Sequence, residues 1–486
     1  MTDACCCLAA DLGSSSGRIM AAFLKDGKIT LEEIHRFDNI LQESEGTCYW
    51  NVDGLFAQIF TGIKKAAHLN PASISVDTWG VDFVLLDQQL NRVGLPVSYR
   101  DSRTDGMMES FFEQVPADVV YSKTGIQFMP LNSLYQLHAL RKQSPELLDR
   151  TSHLLFSPDY YHYLLSGQIT CENTIASTSQ MINLDTGTWD QQLLEQLDLA
   201  ESIFGRQVEP GTILGPLRPE LQEITECRSI KVVAGAGHDT ACAVAAVPAE
   251  QDNSHWAYLS SGSWSLLGLE RNQPLATETA RQLQITNERG VNNSYRVLKN
   301  MTGLWLLQCV RRELSEQISF AELVDRAIRS RPWRSCINPN DARFTNPASM
   351  IQEIQASCRE RDEPVPETPG ELARTIFESL ACSYRQAKEQ LEQLSDKPVS
   401  TLYVVGGGNQ NRFLNQLTAD ICQTTVITGP TEASALGNAI IQFKALGLIP
   451  SFAEGRIISA RSFPRSVYQP EPQAGCQVFY QRFRRA

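Results

Sequence analysis

Asp239 follows a short apolar strand, Lys231 to Ala234, and a Gly235-Ala236-Gly237 turn, and it opens a helix through Thr240 and Ala241. Capping alone explains a carboxylate there, because the helix dipole favours negative charge in the first turn. The same placement suits a general base. A carboxylate on a rigid element can take the proton from a hydroxyl as it attacks phosphorus, worth about 10²–10⁴ in rate. Its neighbour His238 reads either as a substrate contact or as packing. Asp11 ends a second apolar strand, Cys6 to Ala10, and leads into Leu12-Gly13-Ser14-Ser15-Ser16-Gly17-Arg18. A carboxylate at a strand end can hold hydrated Mg²⁺. The Gly/Ser turn leaves backbone N–H groups and hydroxyls open to an anion, although a plain hairpin turn has the same composition. No G-x-x-x-x-G-K-[ST] run occurs, which excludes a Walker-type P-loop as the phosphate cradle.

Two further segments carry chemical potential. Gly406-Gly407-Gly408 follows the apolar run Thr401 to Val405. Three glycines remove side chains where a flat group could lie on backbone, at an entropic cost a simple turn does not require. The G-x-G-x-x-G spacing of a dinucleotide fold is absent. Ile74 to Asp82 places Asp77, Trp79, Gly80 and Asp82 at a strand end, and Tyr99-Arg100-Asp101-Ser102-Arg103 follows. Trp beside carboxylates suits a sugar surface, with C–H groups on the ring and hydroxyls on the acids. An internal salt-bridge network accounts equally well for the two Arg.

These residues need elements to hold them. Cys6 to Ala10 and Arg18 to Leu24 flank the first Gly/Ser turn; Trp256 to Leu259 and Trp264 to Leu269 flank a second, Ser260-Ser261-Gly262-Ser263. Both read as hairpins, and their likeness across about 250 residues suggests a duplicated domain. Strands are expected at Ser73 to Val76, Phe83 to Leu86, Lys231 to Ala234, Thr401 to Val405 and Val426 to Thr428. Apolar periodicity predicts helices over Leu55 to Leu69, Leu134 to Arg141 with Pro145 ending it, Met301 to Leu314, Glu371 to Leu394, Asn411 to Cys422 and Glu432 to Leu446. Hairpins mixed with crossover units give α/β layers in each half. The expected boundary is Val247-Pro248, dividing the chain into 1–247 and 248–486.

Length and composition bound the alternatives. A chain of 486 residues exceeds one ordinary core and favours two domains. The formal net charge of -12 argues against a nucleic-acid partner, which needs clustered Lys and Arg. Thirteen Cys, with no C-x-x-C pair, read as reduced cytoplasmic thiols with no obligatory disulfide, and Cys5-Cys6-Cys7 as small apolar strand residues. Asp3 and Asp11 interrupt any basic or apolar leader, and no apolar run is long enough to span a bilayer, so no membrane partner is expected.

In order and spacing, several stretches resemble the FGGY carbohydrate kinases over nearly the whole chain. They are Ile34 to Phe37, Asp77 to Asp87 (DTWGVDFVLLD), Gly94 to Thr104, Ser122 to Leu137, Ser260 to Leu267, Arg296 to Gln308, Ile337 to Phe344 and Val404 to Asn411. The resemblance implies an α/β chain of two actin-like (ribonuclease H-like) domains with a cleft between them. The first would carry most of the sugar site and the second most of the nucleotide site. It implies ATP and Mg²⁺, with Asp11 reaching the metal through water and Ser14, Ser15, Ser16, Gly17 and Arg18 on the phosphates. Ser263, Gln308 and Gly407 would bind the nucleotide. Gly80, His238, Asp239, Thr240 and Asn300 would line the sugar site, with Asp239 as proton acceptor. The implied reaction is phosphorylation of L-rhamnulose at its 1-hydroxyl by a cytoplasmic enzyme, taken as a monomer. Fuculose, xylulose, ribulose or glycerol are the alternative substrates within the family; an actin- or chaperone-like ATPase switch and a silent sugar-binding regulator are the alternatives outside it. Ser263 replaces the Thr of nearer members and keeps the hydroxyl. Pro130-Leu131-Asn132-Ser133-Leu134-Tyr135 lacks the Lys of the usual P-x-x-K-L-x-W pattern, which weakens a glycerol or xylulose assignment.

Overall fold

The computed structural model describes residues 5–249, 255–471 and 473–485, and in it Cys5–Leu12 (β1) and Ser16–Lys25 (β2) form the first expected hairpin. Asp3 lies outside the described residues. Lys28–Asp38 (β3) continues antiparallel from β2, whereas Ser73–Thr78 (β4) joins the other edge of β1 in parallel. Thr212–Pro216 (β5) and Lys231–Ala234 (β6) complete a sheet of order β5-β6-β4-β1-β2-β3. A central strand is covered on both faces and so reads as a continuous apolar run. In β1, Cys6 to Leu12 are all buried, the adjacent thiols Cys6 and Cys7 among them.

Strand β4 alternates. Ile74 and Val76 enter the apolar core with Leu8, Ile59, Ile63 and Val232. Ser73, Ser75 and Asp77 point to the opposite face, where helix Ala433–Ala445 (α8 below) supplies amides to them. Ser73 Oγ donates to Gln442 (2.7 Å), while Asn438 Nδ2 donates to Asp77 Oδ2 (2.6 Å) and to the Ser75 carbonyl (3.3 Å). Helix Val52–Ala66 (α1) covers the apolar side, capped by Asn51, with Leu55, Ile59, Ile63 and Ala66 on one stripe. Ser133–Gln143 (α2) and Asn173–Ser177 (α3) precede Asp239–Ala245 (α4). A Cβ at Gly437 would lie 1.7 Å from the Cys242 carbonyl oxygen, so α4 and the 433–445 helix pack backbone against backbone.

The second unit repeats the scheme. Trp256–Ser261 (β7) and Trp264–Arg271 (β8) form the second expected hairpin. Thr286–Arg289 (β9), Tyr295–Thr302 (β10), Thr401–Val405 (β11), Thr425–Thr428 (β12) and Val467–Tyr468 (β13) give the order β9-β10-β8-β7-β11-β12-β13. β7, β11 and β12 are mutually parallel neighbours, matching β1, β4 and β6. Five strands in the order 3-2-1-4-5, with a leading hairpin, thus occur twice, which is the ribonuclease H-like pattern of actin-like domains. Trp305–Glu313 (α5), Pro369–Ser395 (α6), Arg412–Cys422 (α7) and Ala433–Ala445 (α8) are its later helices; α6 starts on a Thr368/Glu371 capping box with Pro369 at its first position.

Three expectations are corrected. The compact units are not divided by one cut at 247/248: residues 1–246, 270–297 and 433–462 form the first, and 247–269, 298–432 and 463–486 the second. Met301 belongs to β10, and α5 starts only at Trp305, after the Gly303 turn. Pro145 ends one helix and also begins another, Pro145–Asp149.

Candidate active site

Asp239 is the first residue of α4, with His238 as its N-cap. Its Oδ1 accepts from Thr240 Oγ1 at 3.0 Å and lies 3.5 Å from His238 Nε2. The side chain keeps 31% of its surface accessible, so solvent reaches a carboxylate otherwise crowded by protein. Burial raises its proton affinity; the nearby His238 opposes this and the Asp11 charge adds to it.

Asp11 stands opposite Arg18 across the β1–β2 hairpin and beside Asp77 across the parallel β1–β4 pair. Arg18 Nε and Nη2 both donate to Asp11 Oδ2, at 3.0 and 2.7 Å. Asp77 is fully buried, and burial together with the Asp11 charge holds its carboxyl well above the ordinary range. Its Oδ1 makes no hydrogen bond. In the turn, Ser15 and Ser16 are exposed, Ser14 Oγ accepts from Arg100 at 3.4 Å, and Asn39 Nδ2 donates to the Gly13 carbonyl. Gly17 has a packing reason: a Cβ there would lie 2.4 Å from the Phe37 ring.

Gly80 begins a strained turn. Val81 is β-branched yet adopts φ 68°, a region costly to such side chains. Three bonds hold this segment: Val81 N donates to Thr178 Oγ1, Ser133 Oγ to the Val81 carbonyl, and Ser157 N to the Asp82 carbonyl. The expected sugar surface of Trp79 and Asp82 is not found. Asp82 is buried and accepts from Trp50 Nε1, Trp79 Nε1, Gln136 Nε2 and Tyr99 N; Trp79 packs on Trp50 with ring centroids 4.2 Å apart. Every donor is protein, so this cluster braces the turn from inside. Arg103 belongs to the same network through Gln136 (2.6 Å), and burial lowers its pKa to about 10.

In the second unit, Ser263 Oγ donates to Gln308 Oε1 at 3.2 Å, joining two expected nucleotide residues. The hairpin tip is seated on the start of α5, with Leu304 N donating to the Gly262 carbonyl and Trp305 N to that of Ser263. The three glycines separate by role. Gly406 has φ 84°, a Cβ on Gly408 would lie 2.0 Å from Ser261 Oγ, and a Cβ on Gly407 would meet no atom within 4 Å. Only Gly407 faces open space, which is where a ligand could lie on bare backbone. Asn300 also falls in this unit, unlike Gly80, His238, Asp239 and Thr240.

Sequence reasoning missed Glu172. Fully buried, it caps α3 and accepts from Thr174 N (2.8 Å), Thr174 Oγ1 (2.5 Å) and Ile175 N (3.2 Å). It also accepts from Gly237 N (2.8 Å), tying the loop that carries His238 and Asp239 to α3. Burial against these four bonds places its pKa at about 7. A Glu172→Gln amide would turn a donor toward N–H groups, at about 1–3 kcal/mol for each buried group left unsatisfied. The expected result is a lower melting temperature together with a kcat loss; an unchanged kcat in the folded variant would remove the residue from the support of Asp239.

The comparisons agree with this architecture. The FGGY carbohydrate kinase N-terminal domain matches residues 6–246 and the C-terminal domain residues 257–446. The chain is 46% identical to a rhamnulokinase of Enterobacter sp. over 96% of its length and 94% of that protein's, and 45% identical to one of Bacteroides thetaiotaomicron over 98% of both. Among solved structures, gluconate kinase from Lactobacillus acidophilus superposes with a TM-score of 0.82 at 18% identity over 99% of this chain and 96% of that one. Plasmodium falciparum glycerol kinase with ADP does so with a TM-score of 0.78 at 13% identity over 99% and 97%. These two show the fold. By the two domain matches together with full-length identity near one half, the chain belongs to the FGGY family of carbohydrate kinases.

Proposed function

We propose that the chain is a rhamnulokinase, transferring the γ-phosphoryl group of ATP to the 1-hydroxyl of L-rhamnulose to give L-rhamnulose 1-phosphate and ADP. The observation that carries this reading is 43–46% identity to curated rhamnulokinases over 95–98% of the chain. Asp239 is the base. It is rigidly placed at a helix start, reached by solvent, and has a proton affinity raised toward the working pH, which suits an acceptor that must also release its proton. Gly80, His238, Thr240 and Asn300 hold the sugar. Ser14 to Arg18, Ser263, Gln308 and Gly407 hold the nucleotide, so the sugar falls mainly to the first half of the chain and ATP to the second.

Magnesium fits the donor set through water. Among the described residues no group of three or more His, Cys, Asp or Glu is arranged to hold a metal ion, and Asp11 already spends Oδ2 on Arg18. Mg²⁺ keeps several waters and takes one or two carboxylates plus phosphate oxygens, so Asp11 serves it at second hand. When bound, the ion neutralises charge on the transferring phosphate. All thirteen Cys are free thiols, most of them buried, which suits a reducing cytoplasm, and one chain supplies every proposed site residue, so a monomer suffices. No helix among the described residues is long and apolar enough to cross a membrane.

Initial rates of ADP release with L-rhamnulose, L-fuculose, D-xylulose, L-ribulose and glycerol test the reading. The highest kcat/KM is expected for L-rhamnulose. A higher value for another ketose would reassign the substrate, and ADP release indifferent to every sugar would replace the kinase with an ATPase switch.

A further inference from the structure

Behind His238 lies an ion pair that the reaction as described leaves unused. Arg296, on β10, has no exposed surface; its Nη2 is 3.0 Å from Glu288 Oε2, on β9, and 3.0 Å from His238 Nδ1. Arg296 Nε donates to the Arg289 carbonyl at 3.1 Å, which fixes the guanidinium plane. A buried ion pair is weak evidence for stability, since apolar replacements are often neutral or stabilising. Its placement is more informative. Both residues come from the segment 270–297, which leaves the second half of the chain to cluster with the unit carrying Asp239.

The chemistry of the contact fixes a proton. Guanidinium offers donors only, so the 3.0 Å contact is a hydrogen bond only if His238 Nδ1 is bare. The ring hydrogen then sits on Nε2, which is 3.5 Å from Asp239 Oδ1. Glu288 lies 3.3 Å from the same Nδ1. Without Arg296 the ring would turn a proton toward Glu288 and present a bare Nε2 lone pair to the carboxylate. Building on the assignment of Asp239 as base, we propose that Arg296 and Glu288 are positioning residues: they hold His238 as the Nε2–H tautomer, with its N–H directed at the base. The hydrogen keeps the carboxylate in one orientation while it awaits the substrate hydroxyl.

The direct test is the ¹⁵N spectrum of the histidine rings in the ligand-free enzyme, with the His238 signals, among seven His, assigned by their loss in His238→Gln. A protonated Nε2 and bare Nδ1 are expected. Arg296→Met should move the proton to Nδ1 and lower kcat by about tenfold to a hundredfold, with KM for ATP unchanged. Adding Glu288→Gln removes the stranded carboxylate and offers an amide donor to Nδ1, so the double variant should regain the Nε2–H ring and part of kcat. A ring protonated on Nδ1 in the unmutated, active kinase would overturn the proposal even if Arg296→Met fails to fold. So would a folded Arg296→Met enzyme with kcat intact, or a double variant that regains stability without regaining the tautomer. If the unmutated protein phosphorylates no ketose, the functional assignment fails and the positioning role falls with it, a result distinct from an active kinase with the wrong tautomer.

Discussion

Asp239→Asn is expected to lower kcat by about 10²–10⁴ while KM for L-rhamnulose stays within about threefold, because an amide keeps the shape of the side chain but cannot take a proton. The geometry makes the separation clean. Oδ1 accepts from Thr240, and an Asn carbonyl can do the same, so the N-terminus of α4 should stay in place and the melting temperature should hold. The pH profile gives a second readout. Burial raises the Asp239 pKa above its ordinary value of 3.8, so the fraction in the ionised, proton-accepting form falls as pH drops through that raised value. The acid limb of kcat/KM should therefore lie above 3.8 in the unmutated enzyme and should vanish from the residual activity of the Asn variant. A folded Asn variant with near-normal turnover would assign the proton to another acceptor.

The glycine triplet should split into two opposite phenotypes. Gly407→Leu puts a side chain where this protein has no atom within 4 Å of a Cβ, so thermal stability should be unchanged. If the nucleotide lies on that backbone, the same side chain obstructs it by about 1–3 kcal/mol, a rise in KM for ATP of about tenfold to a hundredfold. Gly408→Ala should do the reverse. Its methyl would sit 2.0 Å from Ser261 Oγ and 2.6 Å from Ser261 Cβ, at the end of β7, and overpacking of this kind costs about 1–3 kcal/mol. Melting curves and ATP titrations of the two variants, side by side, check both halves. A Gly407→Leu enzyme with normal KM for ATP would remove Gly407 from the nucleotide site.

Much of the architecture was legible because it is local. Two Gly/Ser hairpins flanked by apolar runs marked β1–β2 and β7–β8, and the expected strands that follow them belong to the same two sheets. Pairing partners less evident in sequence, such as Asp11 beside Asp77, follow from parallel register, which no local pattern records. Trp79 and Asp82 show the limit more sharply. A Trp next to acids has the composition of a sugar surface whether it faces solvent or, as here, is closed in by Trp50, Tyr99 and Gln136 from distant segments. Glu172, Glu288 and Arg296 gave no motif, since each acts through a partner 58 or more residues away. The return of 270–297 and 433–462 to the first unit has the same origin: burial decides it, through α8 amides on the polar face of β4 and the Arg296 contact with His238. Val81 could not be foreseen, because a β-branched residue is the last expected at positive φ and only its three holding bonds make it tenable.

The most direct measurement is product analysis by ³¹P and ¹H NMR after incubation of the protein with ATP, Mg²⁺ and L-rhamnulose. One phosphate monoester coupled to the C1 protons, formed mole for mole with ADP, is the predicted result. ADP accumulating with inorganic phosphate and unchanged ketose would contradict it.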